Sequence, residues 1–388
     1  MSRINALHIA SFNGNMGDSA NHNGFRRRLI EVLGNIDFEE IEIREFYQSW
    51  NLRDFNSDEF VELCNKKELV IFGGGGFFEP IWDYSCTGTT LNISNETLDK
   101  IKTPILFHGV GCDITKGVTE KTIKKFRLFL DRLVNDKNIF VSVRNEGSFE
   151  AIETLFGNRF EQKICCVPDG AFFLETQKFE FPEVRKNYRL IGINIQENLK
   201  NIQFSLENSS VTYEGFLEEL AKSIMDFLDN YTDYQIIFFP HIYSDLLAIY
   251  ELMNLIGDQY RRTRMIVAPL LTGLSSGSYF FGLYKECDII IGMRFHTNVC
   301  AIAQNISSIA MTTKGYRRIT DLHREVNLMD RLVDVSEMGF GGILNKMIDE
   351  TLVERVVIEK AYQEVNVRMY EDSLAFYNGV KTWFGQVS

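Results

Sequence analysis

A chain of 388 residues is long for one hydrophobic core and short for three, so two α/β domains with room for an active-site cleft are expected. With 45% hydrophobic and 24% charged residues it is neither a disordered, a fibrous nor an integral membrane protein. Its net charge of −12 excludes a general nucleic-acid binder, because phosphate backbones are held by surplus lysine and arginine.

The N-terminus enters a strand almost at once, without the basic region, apolar run and small-residue cleavage site of a signal peptide, which points to the cytoplasm. No stretch approaches the roughly 18 to 20 apolar residues that span a bilayer, so there is no transmembrane segment and any membrane contact is peripheral. The seven cysteines, at 64, 86, 112, 165, 166, 287 and 300, include no zinc-type C-x-x-C pair and read as buried free thiols. Cys300 sits among Val299, Ala301 and Ile302 and reads as core rather than as a nucleophile.

Short apolar runs then alternate with helical patterns, as in a doubly wound parallel sheet. A first strand over 7–12 leads into Asn13, Gly14, Asn15, Met16, Gly17 and Asp18, with a helix beginning near Gly24. This turn is either a ligand loop, in which glycines bring backbone N–H groups close to an anion or sugar, or a tight turn whose Asn and Asp cap the helix. A second strand over 69–74 runs into Gly73, Gly74, Gly75 and Gly76. Four consecutive glycines cost backbone entropy that a simple turn need not spend, so something comes close to that backbone and a ligand is favoured. The run is neither the dinucleotide fingerprint, since Phe78 stands at its sixth position, nor a Walker A loop, since no Gly-Lys-Ser/Thr follows.

Further strands are expected over 104–111, 139–144 and 163–169, with an amphipathic helix over 120–136. Arg144 ends one of them, where parallel sheets place ligands; it points at an anion or is buried against Glu146. Asp169, in a Pro-Asp-Gly turn, is as easily structural as functional. The polar stretch over 178–189 is the expected linker, dividing a Rossmann-like domain over 1–178 from a second over 179–388. There the pattern starts afresh, with strands over 190–196, 234–241, 264–270, 287–294 and 307–313 and helices over 213–230 and 244–257. Glu350 to Phe384 reads as a long helix that docks back on the first domain. Two halves of similar size facing a cleft resemble the GT-B architecture.

The most informative segment is the buried strand over 287–292 that breaks into Arg294, Phe295 and His296. Arginine offers a rigid fork for carboxylate or phosphate and histidine moves a proton near neutral pH, a pair suited to acid chemistry on an anion. Downstream, Lys314, Arg317 and Arg318 concentrate positive charge in an acidic chain, as an anion pocket or as a solvated face. His241 lines the same cleft or closes a turn.

In this order the motifs resemble those of the polysaccharide pyruvyl transferase family: Asn15-Met16-Gly17-Asp18, Gly73 to Gly76, Arg144 to Ser148, Pro168-Asp169 and Arg294-Phe295-His296. Asn145 and Phe295 stand where the family commonly has Asp and Leu. The resemblance implies a GT-B-like enzyme transferring pyruvyl from phosphoenolpyruvate to a hydroxyl of a surface-polysaccharide sugar, usually as a cyclic ketal, with the acceptor free or lipid-linked. It implies His296 as catalytic acid, with Asp18 as base or acceptor contact. Arg144, Arg294, Lys314, Arg317, Gly74 and Gly75 would hold the donor, and Asn15, Asp18 and His241 the acceptor. Phosphoenolpyruvate enters as substrate, and neither a cofactor nor a metal is called for. The alternatives are a nucleotide-sugar glycosyltransferase on the same frame and a non-catalytic sugar-binding member of the fold.

Overall fold

The computed structural model describes residues 3–273 and 276–388, which divide into two compact units. Unit 1 comprises Met1–Asn13, Gly24–Phe173 and Met369–Ser388; unit 2 comprises Gly14–Asn23 and Leu174–Arg368.

Unit 1 is built on strands β1 (Ile4–Ala10), β2 (Ile36–Glu42), β3 (Leu69–Gly73), β4 (Ile105–Val110), β5 (Ile139–Arg144) and β6 (Cys165–Val167). Between them run α1 (Met16–Leu33), whose first turns up to Asn23 belong to unit 2, α2 (Asp58–Asn65), α3 (Asn95–Lys100), α4 (Glu120–Val134) and, after β5, α5 (Ser148–Phe156). All strands are parallel in the order β2-β1-β3-β4-β5-β6, so the order reverses between β1 and β3. The carboxyl end of such a switch point is where open α/β sheets bind ligands, and the glycine run leaves β3 at that point. The edge strand β2 escapes sequence reading because Asp37, Glu39 and Glu40 interrupt its apolar positions; only Ile36, Ile41 and Glu42 are buried along it.

Unit 2 carries β7 (Arg189–Asn194), β8 (Tyr234–Phe238), β9 (Met265–Val267), β10 (Cys287–Gly292), β11 (Ser308–Thr312) and β12 (Leu332–Asp334). Its helices are α6 (Lys200–Gln203), α7 (Tyr213–Asn230), α8 (Asp245–Leu255), α9 (Asp258–Thr263), α10 (Ser276–Gly282), α11 (Phe295–Ala303), α12 (Arg318–Glu325) and α13 (Phe340–Val387). The sheet order is β12-β11-β10-β7-β8-β9, the dinucleotide-fold order read from the other edge. Its switch point lies between β7 and β10, in register with Gly292 opposite Asn194.

The last helix is longer than the sequence suggests, 48 residues, and starts at Phe340. Its buried positions keep helical spacing: Phe340, Leu344 and Ile348 join the core of unit 2, while Met369, Phe376, Tyr377 and Val380 lie in the part assigned to unit 1. There the Tyr377 hydroxyl meets His108 Nε2 at 2.9 Å and Trp383 Nε1 donates to the Lys137 carbonyl at 2.9 Å. A second correction concerns α1. The expected start near Gly24 is replaced by a start at Met16, so the Asn15–Asp18 segment enters the first helical turn instead of forming a long loop. Gly24 lies inside that helix, and a Cβ there would collide with the Gly170 carbonyl, which is why the position carries glycine.

Three buried histidines make the fold acid-sensitive. Burial holds His108 down at about 3 and His323 at about 4, and drives His241 well below the ordinary value. The unfolded chain takes these protons near pH 6.5, whereas the folded chain refuses them until lower pH. Stability is therefore complete above about 6.5 and is lost as pH falls toward 4. We expect the melting temperature to drop across that window and His323→Gln to flatten the drop; an unchanged slope in the variant removes His323 from the linkage.

Candidate functional site

The site in unit 2 grows from the carboxyl end of β10. After Gly292 the chain leaves the sheet, and Arg294, extended at φ −93° and ψ 145°, caps α11. Asn194, at the end of the neighbouring β7, fixes this turn: its Oδ1 accepts from Arg294 N at 3.1 Å and its carbonyl from Met293 N at 3.2 Å. Asn298 closes the turn from inside α11, donating to the carbonyls of Arg294 and Gly292 at 2.9 and 3.3 Å.

The guanidinium of Arg294 is held as a fork. Nε donates to Asp245 Oδ2 at 2.7 Å, Nη2 to Asp245 Oδ1 and to Asn198 Oδ1, the last at 2.8 Å. Asp245 is fully buried at the first turn of α8 and also receives the backbone N–H groups of His241 and Ile242. Such a carboxylate fixes the arginine without neutralising the remaining donor face. Nη1 of Arg294 has no hydrogen-bond partner among the described residues, and the side chain keeps 14% exposure.

His296 follows at the second position of α11, where unsatisfied N–H groups and the helix dipole favour an anion. Its ring lies edge-on to Phe295, with centroids 5.1 Å apart, and the guanidinium of Arg318 stands 5.6 Å from the Phe295 centroid. Against the other side of His296 packs the first turn of α1. A Cβ on Gly17 would fall onto the His296 ring and its Cβ, so only glycine lets α1 approach this closely. Asn15 shapes the entry to that turn, its Oδ1 accepting from Gly17 N at 3.0 Å, and pairs with Ile242 in an isolated bridge. Asp18, on the same turn, is buried.

The structure therefore gathers Asn15, Asp18, His241, Arg294 and His296 in one unit. His241 sits beneath the site rather than on it. Its Nε2 lies 2.9 Å from the Tyr284 hydroxyl and 3.1 Å from Thr297 Oγ1, burial keeps it neutral, and its carbonyl accepts from Met16 N at 3.0 Å. Lys314 is exposed and paired with Glu337, and Arg317 is exposed at the start of α12. Arg318, from the basic run, and Gly17, from the Asn15–Asp18 motif, also take part, and Asp245, Asn194 and Asn198 complete the site without having been singled out for it. Of these, the Asn194-x-x-x-Asn198 spacing just past a strand was the one legible signal.

The remaining expected residues lie in unit 1. Gly74 adopts φ +78° and donates to the His108 carbonyl at 3.2 Å. The Gly75 carbonyl accepts from Phe77 and Gly111 at 2.9 and 2.8 Å. The ring of Phe77 lies over Gly75 and the Glu79 carboxylate over Gly76, so the protein's own side chains make the close approach that the glycines permit. Arg144 is buried between Glu146 (2.6 Å) and Asp169 (3.2 Å). Gly111 faces that cluster: a Cβ there would stand 2.6 Å from Glu146 Oε1 and 2.7 Å from Arg144 Nη2.

Among the described residues, no group of three or more His, Cys, Asp or Glu side chains is placed to hold a metal ion, and no helix is long and apolar enough to cross a membrane.

A family model, polysaccharide pyruvyl transferase, matches residues 15–315. No curated protein matches the sequence. Among solved structures, a glycosyltransferase from Rickettsia africae is similar over 98% of this chain and 99% of its own, at 13% identity and a TM-score of 0.52. OtsA in its apo form is similar over 98% and 99%, at 11% identity and a TM-score of 0.52. The UDP-GlcNAc 2-epimerase from Neisseria meningitidis bound to UDP-GlcNAc is similar over 96% and 100%, at 12% identity and a TM-score of 0.50. At such identities the likeness shows the fold, a GT-B-like pair of parallel α/β sheets.

Proposed function

The chain belongs to the polysaccharide pyruvyl transferase family, and on that premise we propose that it transfers the pyruvyl group of phosphoenolpyruvate to a saccharide hydroxyl, in the cytoplasm, closing a ketal. The observation that carries this reading is the Arg294–His296 pair: an arginine fork braced by Asp245 and Asn198 with Nη1 unengaged, two residues before a histidine at a helix N-terminus. A small dianion next to a proton donor is what that arrangement suits.

The donor's carboxylate or phosphate binds Arg294 and the N-terminus of α11. His296, protonated, gives its proton to the methylene carbon of the donor, which becomes the methyl group, and the adjacent carbon becomes oxocarbenium-like. A saccharide hydroxyl attacks that carbon and loses its proton to a base, a role this reading gives to Asp18 on the first turn of α1. Phosphate then leaves with the C–O bond electrons, and a second hydroxyl of the same sugar attacks the same carbon, its proton passing to the now neutral His296, to close the ketal. One phosphoenolpyruvate and one diol give one ketal and one phosphate, with no net redox change. The buried Arg144 takes part only by releasing Glu146 or Asp169.

Phosphoenolpyruvate should raise the melting temperature of the protein, by mass action on the folded state, while UDP- and GDP-sugars should not. Arg294→Ala should abolish that rise. A response confined to the nucleotide sugars would transfer the protein to the glycosyltransferases.

A further inference from the structure

Unit 1 holds a second constellation at the carboxyl edge of its sheet that the chemistry above does not use. Past β2, a short 3-10 turn over Ile43–Phe46 leads to Tyr47, whose carbonyl accepts the N–H groups of Trp50 and Asn51 at 3.0 and 2.8 Å. Past β3 and the glycine run, the chain makes a compact loop through Trp82 and Tyr84. The two meet: the Tyr47 and Trp82 rings lie 6.2 Å apart, Trp82 and Tyr84 5.9 Å apart in an edge-on pair, and the Tyr84 hydroxyl reaches the Gln48 backbone.

Tyr47 packs partly buried against the core of unit 1 and Trp82 is half-buried, so this end of the cluster is anchored. Trp82 N donates to Gly88 O at 3.0 Å and Ser85 N to Trp82 O at 3.1 Å. A run of hydroxyls, Ser85 to Thr87 (3.0 Å) and Thr87 to Thr89 (2.9 Å), stiffens the loop from within, and Lys125 donates to the Ser85 carbonyl at 2.9 Å. Yet Trp50 is 49% and Tyr84 41% exposed. Large aromatic side chains fixed by their backbones and left open to solvent mark binding surfaces rather than core.

The residues flanking Tyr47 and Trp50 in the chain line a cavity of about 570 Å³, with Glu45, Asn51, Arg53, Asp54, Ser57 and Glu59 as its polar wall and Phe46, Leu52 and Phe60 as its apolar one. That volume lies within the usual range for small-ligand sites. Arg53 is tied to Glu45 at 2.5 Å, so the polar part of the lining is left acidic by Asp54 and Glu59. Acidic walls repel a phosphate-bearing ligand but accept hydrogen bonds from neutral hydroxyls, and a pyranose ring offers both hydroxyls and an apolar C–H face that stacks on the negative face of an aromatic ring.

We propose that Tyr47, Trp50, Trp82 and Tyr84, on the turn and loop whose neighbouring residues line this cavity, form a saccharide subsite that stacks a pyranose of the acceptor. The proposal rests on the saccharide acceptor of the reading above, and its order, held before the ligand arrives, limits the entropy lost on binding. Two of the three tryptophans of the chain, Trp50 and Trp82, sit in it, so intrinsic fluorescence reports occupancy.

The test titrates full-length protein with lactose, cellobiose, maltose and N,N′-diacetylchitobiose, reading tryptophan fluorescence and saturation-transfer NMR, and repeats it on Trp50→Ala/Tyr84→Ala. At least one disaccharide should bind wild type and bind the variant at least about tenfold more weakly. Equal affinity in the variant, or no response from any of the four, overturns the subsite. The melting shift with phosphoenolpyruvate, read on both proteins, keeps the two readings apart. A shift that survives in the variant while saccharide binding is lost supports the subsite. Saccharide binding at the platform in a protein indifferent to phosphoenolpyruvate leaves the subsite standing and sinks the donor. If the double variant loses its cooperative melt, Trp50→Ala alone, at a half-exposed position, serves the same comparison.

Discussion

In His296→Ala, phosphate release from phosphoenolpyruvate in the presence of acceptor should fall by about 10²- to 10⁴-fold, the usual contribution of a positioned general acid. Cooperative unfolding should remain, because the sheet order, the Asn194 brace and the Asp245–Arg294 pair do not depend on the imidazole. The melting shift with phosphoenolpyruvate should also remain, since Arg294 and the N-terminus of α11 are intact. The result separates proton delivery from anion binding within a segment of three residues. Turnover at the wild-type rate would take the proton away from His296 and leave Arg294 as a binding residue beside an unidentified acid.

The second large effect is expected from one methyl group. In Gly17→Ala the new Cβ coincides with the imidazole of His296, and either the ring or the first turn of α1 has to move. A displacement of about 1 Å from the productive geometry can cost about 100-fold in rate. Turnover should fall by that order while the phosphoenolpyruvate melting shift persists, since the fork on Arg294 lies outside the clash. A double-mutant cycle makes the cause visible: added to His296→Ala, Gly17→Ala should cost little more, because the ring it displaces is gone. Equal losses in both backgrounds would mean that Gly17 acts through the helix and not through the histidine.

The Arg294–His296 pair was legible in the sequence because its signals are local. An apolar run bounded by glycine ends a buried strand, and the residues directly after it stand at the sheet's carboxyl edge whatever the rest of the chain does. The glycine run was legible for the same reason, but what it accommodates was not: the nearest groups are the Phe77 ring and the Glu79 carboxylate, which fold back onto it. Asp245, the partner of Arg294, lies 49 residues away on another strand-to-helix connection and carries no mark that distinguishes it from a helix-capping aspartate. In the sequence His241 is only a polar residue after a strand, and its neighbours Tyr284 and Thr297 reveal a neutral brace beneath the site.

By itself the sequence determined the fold class, the alternation of strand and helix in both halves, the family and the strand-end positions of Arg294 and His296, since each depends on composition, periodicity or residues adjacent in the chain. Tertiary structure decided the sheet orders, and with them that β7 and β10 are neighbours and that Asn194 meets Arg294. It also decided that α1 begins at Met16 and lays Gly17 against His296, and that Tyr47 meets Trp82. These depend on which distant segments share a buried surface. Such contacts are selected by the burial and hydrogen bonding of the whole unit, and no local pattern in one segment encodes its partner.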